Sequence, residues 1–271
     1  MLQTLEFLSI QIVLLFVVTS VHTYIGLHII RRGIIFSDLV LDQLAALGVI
    51  IGVGMGIQGG TFISYCISMA AVLVGAFLLA YVKSSDKKIP HEAIIGILYA
   101  LALVASVMVA DKITGGAAYV TQTLSGTMLW VNWDLVIVTV IAYICLSIFH
   151  WIYRRKIIGI TENASQIKNQ NFWDLLFFIT QGIITVLIVP IAGVLLAYGF
   201  LMIPAATALL FTRNWKKGLI LGWGIGFAAS LTGLFSSYYF RLPYGPTLVL
   251  SLGICFGFGL AIKMIRPVSN H

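Results

Sequence analysis

The run "WDLLFFITQGIITVLIVPIAGVLLAYGFLMIPAATALLFT", residues 173–212, decides the fold. A helix crosses a bilayer with about 20 predominantly apolar residues, so this run is too long for one crossing. Pro190 cannot donate a backbone hydrogen bond and Gly193 follows closely, which puts the expected break there. The run therefore reads as two spans, 173–190 and 191–212.

Working outward, apolar runs near 5–30, 39–57, 61–83, 92–110, 130–152, 218–238 and 245–265 complete the pattern. The chain reads as an all-α polytopic membrane protein of eight or nine transmembrane helices, with residues 1–271 forming one transmembrane domain. Composition agrees: 60% of residues are hydrophobic and 9% charged, and mean hydropathy is +1.05. Soluble domains are far less apolar and far more charged. The opening "MLQTLEFLSIQIVLLF" lacks a basic leader and a small-residue cleavage site, so it is expected to be the first span. Cys66, Cys145 and Cys255 are scattered in apolar runs and read as small buried hydrophobes without a disulfide framework.

The net charge of +7 does not indicate nucleic acid, because the basic residues sit in short loops between spans. Arg31, Arg32, Lys83, Lys87, Lys88, Arg154, Arg155, Lys156, Lys168, Arg213, Lys216, Lys217, Lys263 and Arg266 can all share one side. Only Lys112 and Arg241 remain for the other, and that bias marks the first side as cytoplasmic. Nine alternating spans with an outside N-terminus satisfy it. The location is thus the cytoplasmic membrane.

Gly48, Gly52 and Gly56, with Gly54 between, and Gly222, Gly224 and Gly226 supply small residues for close helix approach. They suit tight packing within the subunit, or a subunit interface.

The stretch "RRGIIFSDLVLDQLAALGVIIG", residues 31–52, places Asp38, Asp42 and Gln43 in otherwise apolar sequence. An intramembrane carboxylate costs about 2.5–3.5 kcal/mol on insertion scales, and usually lines a cavity or has a partner. Asp38 and Asp42 stand four apart, on one helical face, and Gln43 adds a neutral carbonyl oxygen. Like charges one turn apart repel unless a cation lies between them or one is protonated. The other reading is electrostatic: a helix N-terminus favours both, and Arg31 or Arg32 pairs with Asp38.

The remaining polar residues read as structural. His22 and His28 are six apart and share no face. His150, before Trp151 and Tyr153, resembles an interfacial anchor. Glu92, after His91, opens a span and suits the helix dipole. The sequence contains no GxxxxGK[ST] phosphate loop, no HExxH and no GxSxG. Nothing suggests an enzyme, and any ATPase would be a separate subunit.

The C-terminal third, "PIAGVLLAYGFLMIPAATALLFTRNWKKGLILGWGIGFAASLTGLFSSYYFRLPYGPTLVL", resembles the permease subunits of bacterial ABC importers for manganese, zinc and iron. Pro204, Ala205, Ala206, Thr207 and Ala208 form that family's Pro-Ala-Ala-Thr-Ala block, and Pro243 with Gly245 its Pro-x-Gly turn. "HEAIIGILYALAL" with Gly96 and "LSGTMLWVNWDL" with Gly126 and Asp134 are similar to earlier family segments. The likeness spans nearly the whole chain and depends on the order of motifs. It implies an importer-permease bundle related to the cobalamin and siderophore type.

The family commonly has a histidine after the aspartate that Asp38 matches; here Asp42 holds its spacing from Asp38, and Gln43 its spacing from Gly48. The resemblance implies a metal path at Asp38 with Asp42 or Gln43, lining a pore between two copies of the chain. Oxygen ligands suit manganese or ferrous iron better than zinc. It also implies cytoplasmic ATP-binding subunits, an extracellular or periplasmic metal-binding protein, and a transported divalent metal with no resident cofactor. A coupling segment at 203–217 would include Pro204, Ala205, Thr207, Arg213, Lys216 and Lys217, whose basic members also suit lipid headgroups. The alternatives are a proton- or sodium-coupled secondary transporter, an importer permease for a chelated metal, and a membrane scaffold.

Overall fold

The computed structural model describes residues 2–82, 89–126 and 131–265. Lys83, Lys87, Lys88 and Arg266 from the charge count lie outside the described residues, as does the 127–130 part of the "LSGTMLWVNWDL" segment. Among the described residues every regular element is a helix, and there is no strand. The elements are α1 (Leu2–Arg32), α2 (Phe36–Gly54), α3 (Phe62–Tyr81), α4 (His91–Asp111), α5 (Gly116–Ser125), α6 (Trp133–Ile152), α7 (Arg154–Glu162), α8 (Gln170–Phe211), α9 (Trp215–Phe240) and α10 (Tyr244–Ile265). Eight of them, all but α5 and α7, are long and apolar enough to cross a membrane.

Helix α8 is 42 residues long, and Gly193 interrupts it with φ 76° and ψ 162°. That φ suits glycine and strains any side chain. Pro190 itself stays helical, so the break falls at the glycine and not the proline. Each length flanking Gly193 has about the reach of one span. Gly126 lies against this break: a Cβ there would stand 2.2 Å from the carbonyl carbon of Ala192.

The residues group into two compact units interleaved along the chain. One comprises Met1–Ile30, Met128–Tyr143 and Gly199–His271; the other comprises Arg31–Thr127 and Ile144–Tyr198. In the first, α9 packs on α10, and Ser251 on α10 donates to the carbonyl of Ala229 at 2.7 Å. Gly222 and Gly226 face Pro204, and a Cβ on Gly226 would come within 2.8 Å of the proline ring. In the second unit, α2 packs on both α3 and α4. Gly48 admits the α3 backbone, since a Cβ there would stand 2.4 Å from the Cα of Ser68. These glycines thus serve packing within the chain. Gly56 falls beyond the end of α2 in a turn with φ 79°, and Gly224 has open space beside it.

Two expectations are corrected. Cys66 and Cys145 are exposed on α3 and α6, and Cys255 is half-buried. In a membrane protein both core and periphery are apolar, so an apolar neighbourhood does not identify the inside. Helices α5 and α7 occupy stretches read as loop. Ile157 and Ile160 of α7 are buried while Arg154, Arg155 and Lys156 are exposed, the two-faced pattern of an interfacial helix.

Candidate functional site: a buried carboxylate pair

Helix α2 places Asp38 in its first turn and Asp42 one turn further on. Both are enclosed, at 2% and 1% exposure. Gln181 of α8 donates its Nε2 to Asp38 Oδ1 at 2.8 Å, and the Thr185 hydroxyl hydrogen-bonds Asp42. Two residues four apart on α8 therefore meet two residues four apart on α2. Each carboxylate is held through one oxygen only; Asp38 Oδ2 and Asp42 Oδ2 are buried without a hydrogen-bond partner.

Gln43 faces elsewhere. Its Nε2 donates to Ser106 Oγ on α4 at 2.9 Å, and Ser106 donates onward to the Ala102 carbonyl. Asp42, not Gln43, thus shares the face of Asp38, as helical periodicity requires for a residue four positions on.

The arginines beside this site bind other carboxylates. Arg31 pairs with Glu162 at 2.6 Å and Arg32 with Asp174 at 2.5 Å. Arg32 also lies over the rings of Phe177 and Phe178, at 5.1 and 5.5 Å from their centroids. The reading in which an arginine neutralises Asp38 is therefore corrected: the guanidiniums nearest in sequence are committed elsewhere. The N-terminus of α2 is instead capped by Glu92, whose Oε1 accepts the Phe36 N–H at 2.8 Å. Glu92 keeps its place in the first turn of α4 as well, so one carboxylate serves two helix N-termini.

Asp38 and Asp42 are almost completely enclosed within a single protomer. Among the described residues no group of three or more His, Cys, Asp or Glu could hold a metal ion. What the site offers is two carboxylates with amide and hydroxyl oxygens. Such a set suits a hard divalent cation, held loosely.

The histidines take structural places. His22 Nδ1 lies 3.0 Å from the Val18 carbonyl, between Tyr143 and Phe200. His28 packs on Tyr24 and Trp215. His150 is no interfacial anchor: it is 4% exposed and lies 2.9 Å from Thr180 Oγ1, while Trp151 and Tyr153 face outward.

The residues of the 203–217 segment divide in two. Pro204, Ala205 and Thr207 are buried, with Thr207 donating to the Ile203 carbonyl and packing beside Gly259. Arg213, Lys216 and Lys217 are exposed around the start of α9, where the Asn214 side chain caps the Lys217 N–H.

Gln181, Thr185 and Ser106 were missed from sequence. A signal existed for two of them: Gln181 and Thr185 repeat the spacing of Asp38 and Asp42 within an apolar run.

Eight helices apolar enough to cross a membrane, one of them interrupted at Gly193, describe a multi-pass membrane protein. The chain belongs to the ABC 3 transport family, whose model matches residues 4–263. It is 24% identical over 267 residues to the manganese import system permease protein ScaB of Streptococcus gordonii, covering 94% of this chain and 91% of that one. It is 25% identical over 236 residues to the manganese transport system membrane protein MntC of Listeria monocytogenes, covering 86% and 82%. The fold matches PsaBC from Streptococcus pneumoniae, solved in complex with Fab, at a TM-score of 0.78 with 22% identity, over 96% and 92% of the two chains.

Proposed function

We propose that this chain is the permease subunit of an ATP-driven importer that moves a divalent metal cation across the cytoplasmic membrane, with manganese ahead of iron and zinc. The observation that carries this reading is the buried pair Asp38 and Asp42, each with one oxygen unpartnered while the neighbouring arginines are bound to other carboxylates. Uncompensated carboxylates in a membrane are costly, and a transient positive partner is what offsets that cost. Relatives named for manganese import support the cargo, as does the oxygen-rich character of the site.

The cation would arrive from an extracellular or periplasmic metal-binding protein and rest between the two carboxylates. Binding must be weak enough for release, and a site with two charges and few neutral donors meets that condition. Gln43 supports α2 against α4 beside the path. ATP is hydrolysed by separate cytoplasmic subunits, and two permease copies complete the complex. Those subunits would press on Arg213, Lys216 and Lys217. The buried Pro204, Ala205 and Thr207 would carry the movement into α8 and α9 through close-packed contacts. The nucleotide acts by favouring one of two arrangements. Family membership favours ATP over a proton or sodium gradient as the driving force.

The test is uptake of manganese, ferrous iron and zinc by proteoliposomes carrying the whole complex. Manganese uptake that requires ATP, and that vanishes in Asp38→Asn with Asp42→Asn, is the expected result. Unchanged flux of every metal in that variant would falsify the site.

A further inference from the structure

We infer that Gln181 is a third oxygen ligand of this cation site, and that it sets the preference among metals by positioning Asp38. The inference rests on the cation-site reading and extends it to a residue on a different helix.

Gln181 is 1% exposed in the middle of an apolar span. A buried amide there is costly unless both its donor and its acceptor are used. Its donor is used, by Asp38 Oδ1 at 2.8 Å. Its acceptor, Oε1, is buried without a partner. Three oxygens therefore remain uncommitted where α2 meets α8: Asp38 Oδ2, Asp42 Oδ2 and Gln181 Oε1. A packing role leaves three orphaned acceptors without a donor unexplained, whereas a bound cation would engage all three.

The amide also fits the charge balance. Two carboxylates neutralise a divalent ion, and a neutral third ligand adds coordination without leaving net charge in the membrane. A third carboxylate would bind tighter and release more slowly. An imidazole would favour zinc. Helix α8 comes close to α3 beside Gln181: a Cβ on Gly182 would stand 2.3 Å from Val72 Cγ1.

The test uses the complete complex in nanodiscs, titrated with manganese chloride and with zinc chloride, and in proteoliposomes for uptake rates. Gln181→Leu is expected to raise the manganese dissociation constant about tenfold, within the range known for residues that orient metal ligands. Gln181→Glu should bind manganese more tightly and slow its maximal uptake. Gln181→His should move the zinc-over-manganese preference by roughly tenfold towards zinc. Wild-type affinities and preference in all three variants would overturn the inference, and so would failure of all three to assemble, since the amide would then serve packing alone. Asp38→Asn separates the two levels. If it transports normally, the cation-site reading itself fails. If it is inactive while the Gln181 variants behave as wild type, only the role of Gln181 is lost.

Discussion

Helices α2 and α9 are both apolar enough to cross a membrane, yet their buried faces are opposites. The buried face of α9 is mostly small residues, Gly218, Gly222, Gly226, Ala229, Ser230, Gly233 and Ser237, with Leu234 as the one large side chain. Its hydroxyls are satisfied locally, Ser230 by the Gly226 carbonyl and Ser237 by the Leu242 carbonyl. The buried face of α2 holds Asp38, Asp42 and Gln43, each with an oxygen that nothing bonds. One helix admits its neighbours closely and leaves no polar demand. The other keeps acceptors in reserve. Total apolarity cannot distinguish them; the bookkeeping of hydrogen bonds does.

The comparison predicts that stability and transport separate between the two helices. The largest effect is on transport. Replacing Asp38 and Asp42 together by Asn should lower manganese uptake by about 100-fold, the upper end for lost metal-site groups. The same variant should keep or raise the thermal midpoint of the detergent-solubilised protein, because two buried like charges are removed. A variant that lost both uptake and fold would show that α2 is a structural helix like α9.

The next effect concerns the arginine that leaves Asp38 alone. Arg32→Ala removes the guanidinium counter-charge of Asp174, whose side chain is fully buried. Breaking such a pair from one side costs about 3–5 kcal/mol, so this variant should be recovered poorly. Adding Asp174→Leu should restore much of the yield, since a buried pair is often replaceable by apolar residues. If Arg32→Ala is tolerated by itself, the guanidinium is not committed to Asp174 as strongly as the geometry implies.

How much of this could be read in advance follows from which forces act along the chain and which across it. The spans were legible because length and hydropathy are local, and the break in α8 was located to the proline–glycine neighbourhood. Asp38 and Asp42 were legible from their spacing alone. Their partners were not, because Gln181 lies 143 residues from Asp38 along the chain. The arginine pairing was misread for a related reason: Arg32 is six residues from Asp38 but bonds to a residue 142 positions away. Cys66 and Cys145 were misplaced because lipid and protein core select the same residue types.

A smaller effect tests the dry side. Gly226→Leu would bring a Cβ to 2.7 Å from Thr19 and a longer side chain into the Pro204 ring. Overpacking of this kind costs about 1–3 kcal/mol. It should lower the thermal midpoint while leaving manganese affinity in the surviving protein unchanged. Gly224, with open space beside it, is the control, and its replacement by Leu should be nearly silent. A change in metal affinity from Gly226→Leu would mean that the close-packed row also shapes the site.

The smallest effect separates charge from shape at the foot of α2. Glu92 Oε1 accepts the Phe36 N–H, so it both fills an empty acceptor place and sets a negative charge at the helix N-terminus. Glu92→Gln keeps an oxygen for the N–H and removes only the charge, which is worth about 0.3–1 kcal/mol at such a position. Glu92→Leu removes both. If α2 is positioned by hydrogen bonding, Gln should be close to wild type in thermal midpoint and Leu clearly below it. If charge dominates, the two should fall together. In either case the loss should appear in stability before transport, because Glu92 holds the helix on which the two aspartates stand and makes none of their hydrogen bonds.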